Sequence, residues 1–202
     1  MEPLPGTWSY KVKRDQNWCV IKRKARWNCS GDMQFPWEYN STYSPTSRFA
    51  AIRQILALAV QQNMSLYHWD IQGAFCTAAV DKDIYLQAPS GYPLPEGKCL
   101  KLVKSQYGLR QASHLFHAEL EQWMIAYGFK PVGPEGVIFT LNRGGHQLTV
   151  SLYVDDGLCA CTSKEMYDQF LKDLSKTYKL SDQGDLSWYL GISINMSFIT
   201  GD

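Results

Sequence analysis

The sequence predicts an α+β fold: a basic β-ribbon followed by an antiparallel β-sheet with two helices on one face. Three observations predict it. Residues 8–14 and 18–27 alternate loosely between apolar and basic types around Asp15-Gln16-Asn17, as a β-hairpin does. Three other segments repeat apolar residues at helical spacing. The runs between them are short, rich in aromatic and β-branched residues, and bounded by Gly, Pro or Asp-Gly. The resulting order of ribbon, helix, strands, helix, hairpin, helix and strand lets helices cover an antiparallel sheet.

Each element has its own local cause. After a polar stretch to about Tyr43, Ser44 and Pro45 suit an N-cap and a first helical residue. Phe49, Ile52, Ile55, Leu56, Ala59 and Val60 then form one helical face, closed by Gln61-Gln62-Asn63. Residues 65–71 (SLYHWDI) predict a strand, and residues 84–86 and 100–103 predict two more around a Pro/Gly loop at 89–97. Ser113 can cap a helix carrying Phe116, Leu120, Trp123, Met124 and Tyr127, with Gly128 as its stop. Strands at 137–142 and 147–154 turn at Arg143-Gly144-Gly145-His146. Asp155-Asp156-Gly157 marks a second hairpin turn between apolar runs. Ser163 starts a helix whose inner side is Met166, Tyr167, Phe170, Leu171, Leu174 and Tyr178, and residues 188–194 read as a last strand.

Composition narrows the class. With 45% hydrophobic and 19% charged residues over 202 positions, the chain is no disordered tail and can bury about 70% of its unfolded surface. No run approaches the ~18 apolar residues of a membrane span, and the first residues lack a secretion-signal pattern. Six cysteines at irregular gaps without a CxxC pair argue against zinc and a disulfide framework, so buried thiols in a reducing compartment are expected. The formal charge, 20 − 19 = +1, is uninformative, but its distribution is not. Lys11, Lys13, Arg14, Lys22, Arg23, Lys24 and Arg26 face only Asp15, and Lys98, Lys101, Lys104 and Arg110 form a second basic run. Acids dominate the last third. Such runs are often solvated faces, yet basic segments flanking a carboxylate-bearing centre also suit a polyanion held over metal ions.

Three acids stand apart. Asp70 ends the strand YHWD, while Asp155 and Asp156 sit in the turn of an apolar hairpin. Carboxylates beside apolar strands are costly unless paired or metal-bound. If the two segments neighbour each other in one sheet, all three acids meet at one edge, where acids from separate strands can bridge two Mg²⁺ for phosphoryl displacement. The Asp pair alone carries little weight, because hairpin turns favour Asp and Gly anyway. His68 is expected on the other face of its strand or in the core, and His114 and His117, three apart on a helix, lack a third ligand.

The residues around these acids resemble those of a known family. Tyr153-Val154-Asp155-Asp156 resembles the YVDD box of reverse transcriptases, and residues 70–75 (DIQGAF) resemble their earlier acidic motif. Residues 104–112 (KSQYGLRQA) look like a K-x-L-Y-G-L-K-Q-A-P box. Residues 5–14, 24–26, 43–49, 84–92 and 184–192 match further boxes in the family's order. Over roughly residues 5 to 194 the chain is similar to the reverse transcriptase of copia-type long-terminal-repeat retrotransposons.

The resemblance implies a palm (about 65–75 and 111–195) and β-rich fingers (about 5–64 and 76–110), without thumb or RNase H. It also implies an RNA-directed DNA polymerase adding dNTPs to a primer 3′-OH on an RNA or DNA template. Asp70, Asp155 and Asp156 would hold two Mg²⁺, or Mn²⁺ in their place. Lys13 and Arg26 resemble finger residues that close on the triphosphate. Ile71, Phe75, Tyr107, Gly108 and Arg110 fall in the nucleotide pocket, with Phe75 as a steric gate against ribose. Tyr153, Leu190 and Gly191 fall where the primer end is positioned. Packing roles remain open for Phe75 and Tyr107. RNase H and integrase parts of the same polyprotein are the implied partners, with no membrane. An intracellular, cytoplasmic particle, or the nucleus, is the implied location.

The sequence departs from the family at Cys76-Thr77-Ala78, at Ser113 and at Trp27-Asn28-Cys29-Ser30, all close to the nucleotide path. Together with an end at Asp202, these departures keep a second reading open: a non-catalytic nucleic-acid-binding module or relic with the same fold. A phosphohydrolase using the same acids would leave the other boxes without a use.

Overall fold

The computed structural model describes residues 2–15 and 17–195; Gln16 of the expected hairpin turn lies outside them. Along the chain run β1 (Gly6–Arg14), β2 (Val20–Cys29), α1 (Phe49–Gln61), β3 (Ser65–Ile71), β4 (Tyr85–Leu86), β5 (Leu100–Lys101) and α2 (Ala112–Tyr127). There follow β6 (Lys130–Pro131), β7 (Ile138–Arg143), β8 (His146–Tyr153), β9 (Asp156–Cys161), α3 (Lys164–Leu174), β10 (Leu180–Asp185), β11 (Trp188–Tyr189) and β12 (Ile192–Ser193). The chain divides into two compact units, one comprising the residues up to Ser44 and Phe75–Phe116, the other Pro45–Ala74 and the chain from His117 onward.

In the first unit, β1 and β2 pair antiparallel from Gly6↔Cys29 to Lys13↔Lys22, with an irregularity at Arg14. Asp15 builds the turn: its carboxylate accepts the amides of Asn17 and Cys19, each at 2.9 Å. The unit's core is Leu4, Cys29, Ile84, Leu86, Leu109 and Ala112, with Phe75 packed against it. Burial pushes the Cys29 thiol up to about 12, so it stays a neutral packing group. The expectation of buried thiols holds for Cys29, Cys159 and Cys161, whereas Cys19 and Cys99 are exposed.

The second unit is built on a six-stranded sheet in the order β10-β3-β9-β8-β7-β6, with every described pairing antiparallel. Side chains alternate across it. Leu66, Leu158 and Ala160 meet Ile52, Ile55 and Ala59 of α1 on one face. On the other, Tyr67 stacks on Tyr167 of α3, Trp69 meets Phe170, and α2 joins through Trp123 and Tyr127 around Phe170. The two helices expected on one face, α2 and α3, lie there, and α1 covers the other. Full burial of a side chain such as Ile52 is worth about 1.5–3 kcal/mol, which holds α1 on the sheet within the second unit.

Helix ends follow local chemistry. α1 stops at Asn63, whose φ is 52°, with Asn63 N–H donating to Val60 O and Met64 N–H to Ala59 O. α2 ends the same way at Gly128, and these paired bonds satisfy carbonyls otherwise left orphaned. The Ser163 hydroxyl caps α3 by accepting the Met166 amide at 3.2 Å. Ser44-Pro45, by contrast, does not open α1, which begins at Phe49. The preceding segment is tied to the sheet, with Ser47 Oγ 2.6 Å from Ser151 Oγ and Ser47 N–H bonded to Leu152 O. Ser113 lies inside α2 and not before it.

Candidate active site

The acids converge because of strand register. In the β3–β9 pair Asp70 lies directly opposite Asp156, and in the β8–β9 hairpin Tyr153 lies opposite Asp156. Ser181 of β10 is opposite Asp70 on the other side. Directly opposed residues share a face, so Ser181, Asp70, Asp156 and Tyr153 form one row across four strands. Asp155 is in the turn itself, and its carbonyl accepts the Ile71 amide at 3.0 Å, which fastens the turn to the end of β3. All three acids are partly exposed. The corner residues are Val154 and Asp155, while Asp156 already belongs to β9. Val154 has φ 60°, a costly conformation for a β-branched residue and a strain often found at working sites.

His68 sits two residues before Asp70, hence on the same face. Its Nε2 is 3.3 Å from Asp156 Oδ1, which corrects the expectation that it turns away. Its ring meets the edge of Tyr189 at 5.2 Å. The Tyr189 hydroxyl is buried without a hydrogen-bond partner, and burial, with the Asp156 charge nearby, raises its pKa. Behind the row, Trp69 is fully buried, donates its indole N–H to Cys159 Sγ at 3.1 Å, and lies over Gly157. A Cβ on Gly157 would be 2.1 Å from the Trp69 ring. Gly157 thus makes room for an indole, not for a turn.

Among the described residues no three His, Cys, Asp or Glu side chains are set to enclose one ion. Mg²⁺ is usually held by one or two carboxylates plus substrate phosphates and water, not by an all-protein cage. A row of carboxylate oxygens from two strands fits that donor chemistry.

The other expected residues are placed as follows. Ile71 is buried on the opposite face from Asp70, so only its backbone borders the row. Leu190 and Gly191, with φ 48° and 84°, are the corner of the tight β11–β12 hairpin. The single strand expected at 188–194 is corrected accordingly. In the first unit Arg26 lies over the Tyr107 ring at 5.0 Å, and Phe75 meets Tyr107 edge-on at 5.7 Å. Lys13 is exposed on the ribbon. Gly108, at φ 93°, lets Tyr107 O accept the Cys29 amide at 2.7 Å; a Cβ there would lie 2.1 Å from Cys29 O. The Arg110 guanidinium bonds the carbonyls of Gly31 and Asp32 at 2.6 and 3.1 Å and stays exposed. His114 and His117 bond the carbonyls of Tyr43 and Gly136.

His68 was findable from the two-residue strand period. Ser181 was not, since its strand has no apolar alternation.

Comparison with known proteins adds what geometry does not. The sequence profile of the family described as reverse transcriptase (RNA-dependent DNA polymerase) matches residues 1–200. The chain is 29% identical over 189 residues, 92% of its length, to the retrovirus-related Pol polyprotein from transposon RE1 of Arabidopsis thaliana. It is 28% identical over 196 residues, 95% of its length, to that from transposon TNT 1-94 of Nicotiana tabacum. A putative transposon Ty5-1 protein of Saccharomyces cerevisiae is 30% identical over 63% of the chain and matches over 42% of its own length. The chain spans only 13% and 15% of the two plant polyproteins.

Proposed function

The chain belongs to the reverse transcriptase (RNA-dependent DNA polymerase) family, and from that premise we propose that it carries the polymerase centre of a retrotransposon Pol polyprotein. In this reading it adds dNTPs to a primer 3′-OH along an RNA or DNA template, beside RNase H and integrase parts of the same polyprotein. The sheet unit serves as palm and the ribbon unit as fingers.

The observation that carries the reading is the register that sets Asp70 against Asp156 and ties Asp155 to the end of β3. A pair of directly opposed carboxylates costs stability, a cost that a bound cation would offset. Asp70, Asp155 and Asp156 would hold Mg²⁺, which when bound neutralises triphosphate charge and lowers the pKa of the primer hydroxyl. The residues themselves position these groups. The Ile71 amide holds the turn, and His68 restrains the Asp156 carboxylate through their 3.3 Å contact. By resemblance to the family, Lys13 and Arg26 are the candidates for triphosphate contacts, and Phe75 and Tyr107 for sugar and base contacts.

The test is primer extension on poly(rA)/oligo(dT) with Mg²⁺. Asp155→Asn keeps side-chain size and removes one ligand charge, so the variant should melt like the wild type and lose several orders of magnitude in extension. Wild-type extension by that variant would remove Asp155 from the machinery. A wild-type chain that binds template–primer and never extends it would instead be the binding module that the departures at Trp27 and Cys76 leave open.

A further inference from the structure

The β1–β2 register sorts the ribbon into two faces. Lys11, Lys13, Lys22, Lys24 and Arg26 share one, together with Ser9. Trp8, Tyr10 and Val12 share the other with Trp27, Ala25 and Arg23. We propose that this second, aromatic face is a stacking platform for unpaired nucleic acid, separate from the basic face. The proposal rests on the polymerase reading and extends it to a subsite for single strands.

Trp8 and Trp27 are half-buried, with the Trp27 ring against Gly6, whereas the outer residues of the face have no burial to explain them. Tyr10 is 74% exposed and Val12 47%. The Trp8 and Tyr10 rings are stacked at 6.2 Å with planes 22° apart, and Trp27 meets Trp8 edge-on at 5.4 Å. Alternate residues on a strand recur every ~6.7 Å, close to twice the ~3.4 Å rise between stacked bases. Successive rings therefore match the repeat of a stacked strand. Charge selects the occupant. Arg23 is on this face, every other charged ribbon residue except Asp15 is a cation, and Asp15 is committed to the Asn17 and Cys19 amides. Aromatic rings amid cations and without acids suit a polyanion with flat, unpaired bases, the combination that single-strand-binding surfaces use. A duplex keeps its bases stacked on one another and has no face to offer.

The experiment measures binding of the full chain to a short unstructured oligo(A) RNA and to a blunt duplex. Tyr10→Ala should weaken oligo(A) binding about tenfold, leave duplex binding unchanged, and keep the wild-type circular dichroism. Tyr10→Phe, which retains the ring, should restore the affinity. Equal losses for both ligands, or none for either, would overturn the platform. So would concentration-dependent self-association abolished by Tyr10→Ala, since the face would then join copies of the chain. If the wild type extends a primer while oligo(A) binding ignores Tyr10, the platform alone fails. If the wild type neither binds nucleic acid nor extends a primer, the polymerase reading fails with it.

Discussion

Phe75 concentrates the question of packing against function in one side chain. It is half-buried, packs against the Leu4–Ile84–Leu86 cluster and meets Tyr107 and Phe116 edge-on. Phe75→Val should therefore lower the melting temperature, since deleting buried ring atoms costs a few kcal/mol. The residue is nevertheless not fully buried. As a gate it would force a 2′-hydroxyl to overpack, at about 1–3 kcal/mol. Single-nucleotide extension should then show UTP use rising roughly ten- to a hundredfold relative to dTTP. A lowered melting temperature with an unmoved ratio would leave Phe75 as packing alone. Asp173 offers a test of pure electrostatics. A bond from Lys176 at 2.6 Å, then Gln169 and the Tyr127 hydroxyl, hold its carboxyl down at about 2. The unfolded value is about 3.9. Its contribution is present in full above that value and is lost as pH falls toward the folded one. Urea unfolding of the wild type and Asp173→Asn should differ by a constant amount from pH 5 to 8, and the gap should close toward pH 2.

At the scale of elements, Gly157 links the β9 strand to the acids. Its missing Cβ is where the buried Trp69 ring lies, and that ring is wedged against Phe170 of α3. Gly157→Ala should cost about 1–3 kcal/mol or more by overpacking and shift the adjacent Asp156, so stability and extension should fall together. Unchanged melting would mean that the indole has room to move. The elements legible in sequence were those whose side chains repeat with one period. The ribbon, α2 and α3 follow from alternation or helical spacing, and Gly128 and Ser163 from their capping chemistry. β10 escaped because LSDQGD has no apolar alternation; it is a strand only because β3 offers it an edge, and it carries an irregularity at Gln183. Residues 188–194 read as one strand because Leu190 is apolar, yet a positive φ there and at Gly191 folds the segment back on itself. The acids were recognisable from their sequence neighbours, while their face-sharing with His68 and Ser181 needed the register.

For the whole molecule, the net charge of +1 means that affinity for a polyanion must come from where charge is placed, not from how much there is. The ribbon places it at a cost, since Lys11 lies opposite Lys24 and Lys13 opposite Lys22, and like charges so paired repel. A bound phosphate backbone turns that repulsion into attraction and releases counterions, with log affinity falling by about 0.9 per contact for each log unit of salt. The sequence run Lys22-Arg23-Lys24 suggests three equivalent contacts, but the register splits it, with Lys22 and Lys24 on the basic face and Arg23 opposite Val12 on the aromatic one. Lys22→Ala with Lys24→Ala should therefore flatten the salt slope for duplex template–primer by up to about two contacts. Arg23→Ala should leave the duplex slope alone and reduce only the slope measured with oligo(A). The measurement is a binding titration at several KCl concentrations for each variant and each ligand. If all three substitutions flatten the duplex slope equally, the two faces do not act as separate surfaces. If none does, the ribbon cations are a solvated face, and the polyanion must be held by the second basic run around Lys98, Lys101 and Lys104, where Lys101 is already paired with Asp83 at 2.7 Å.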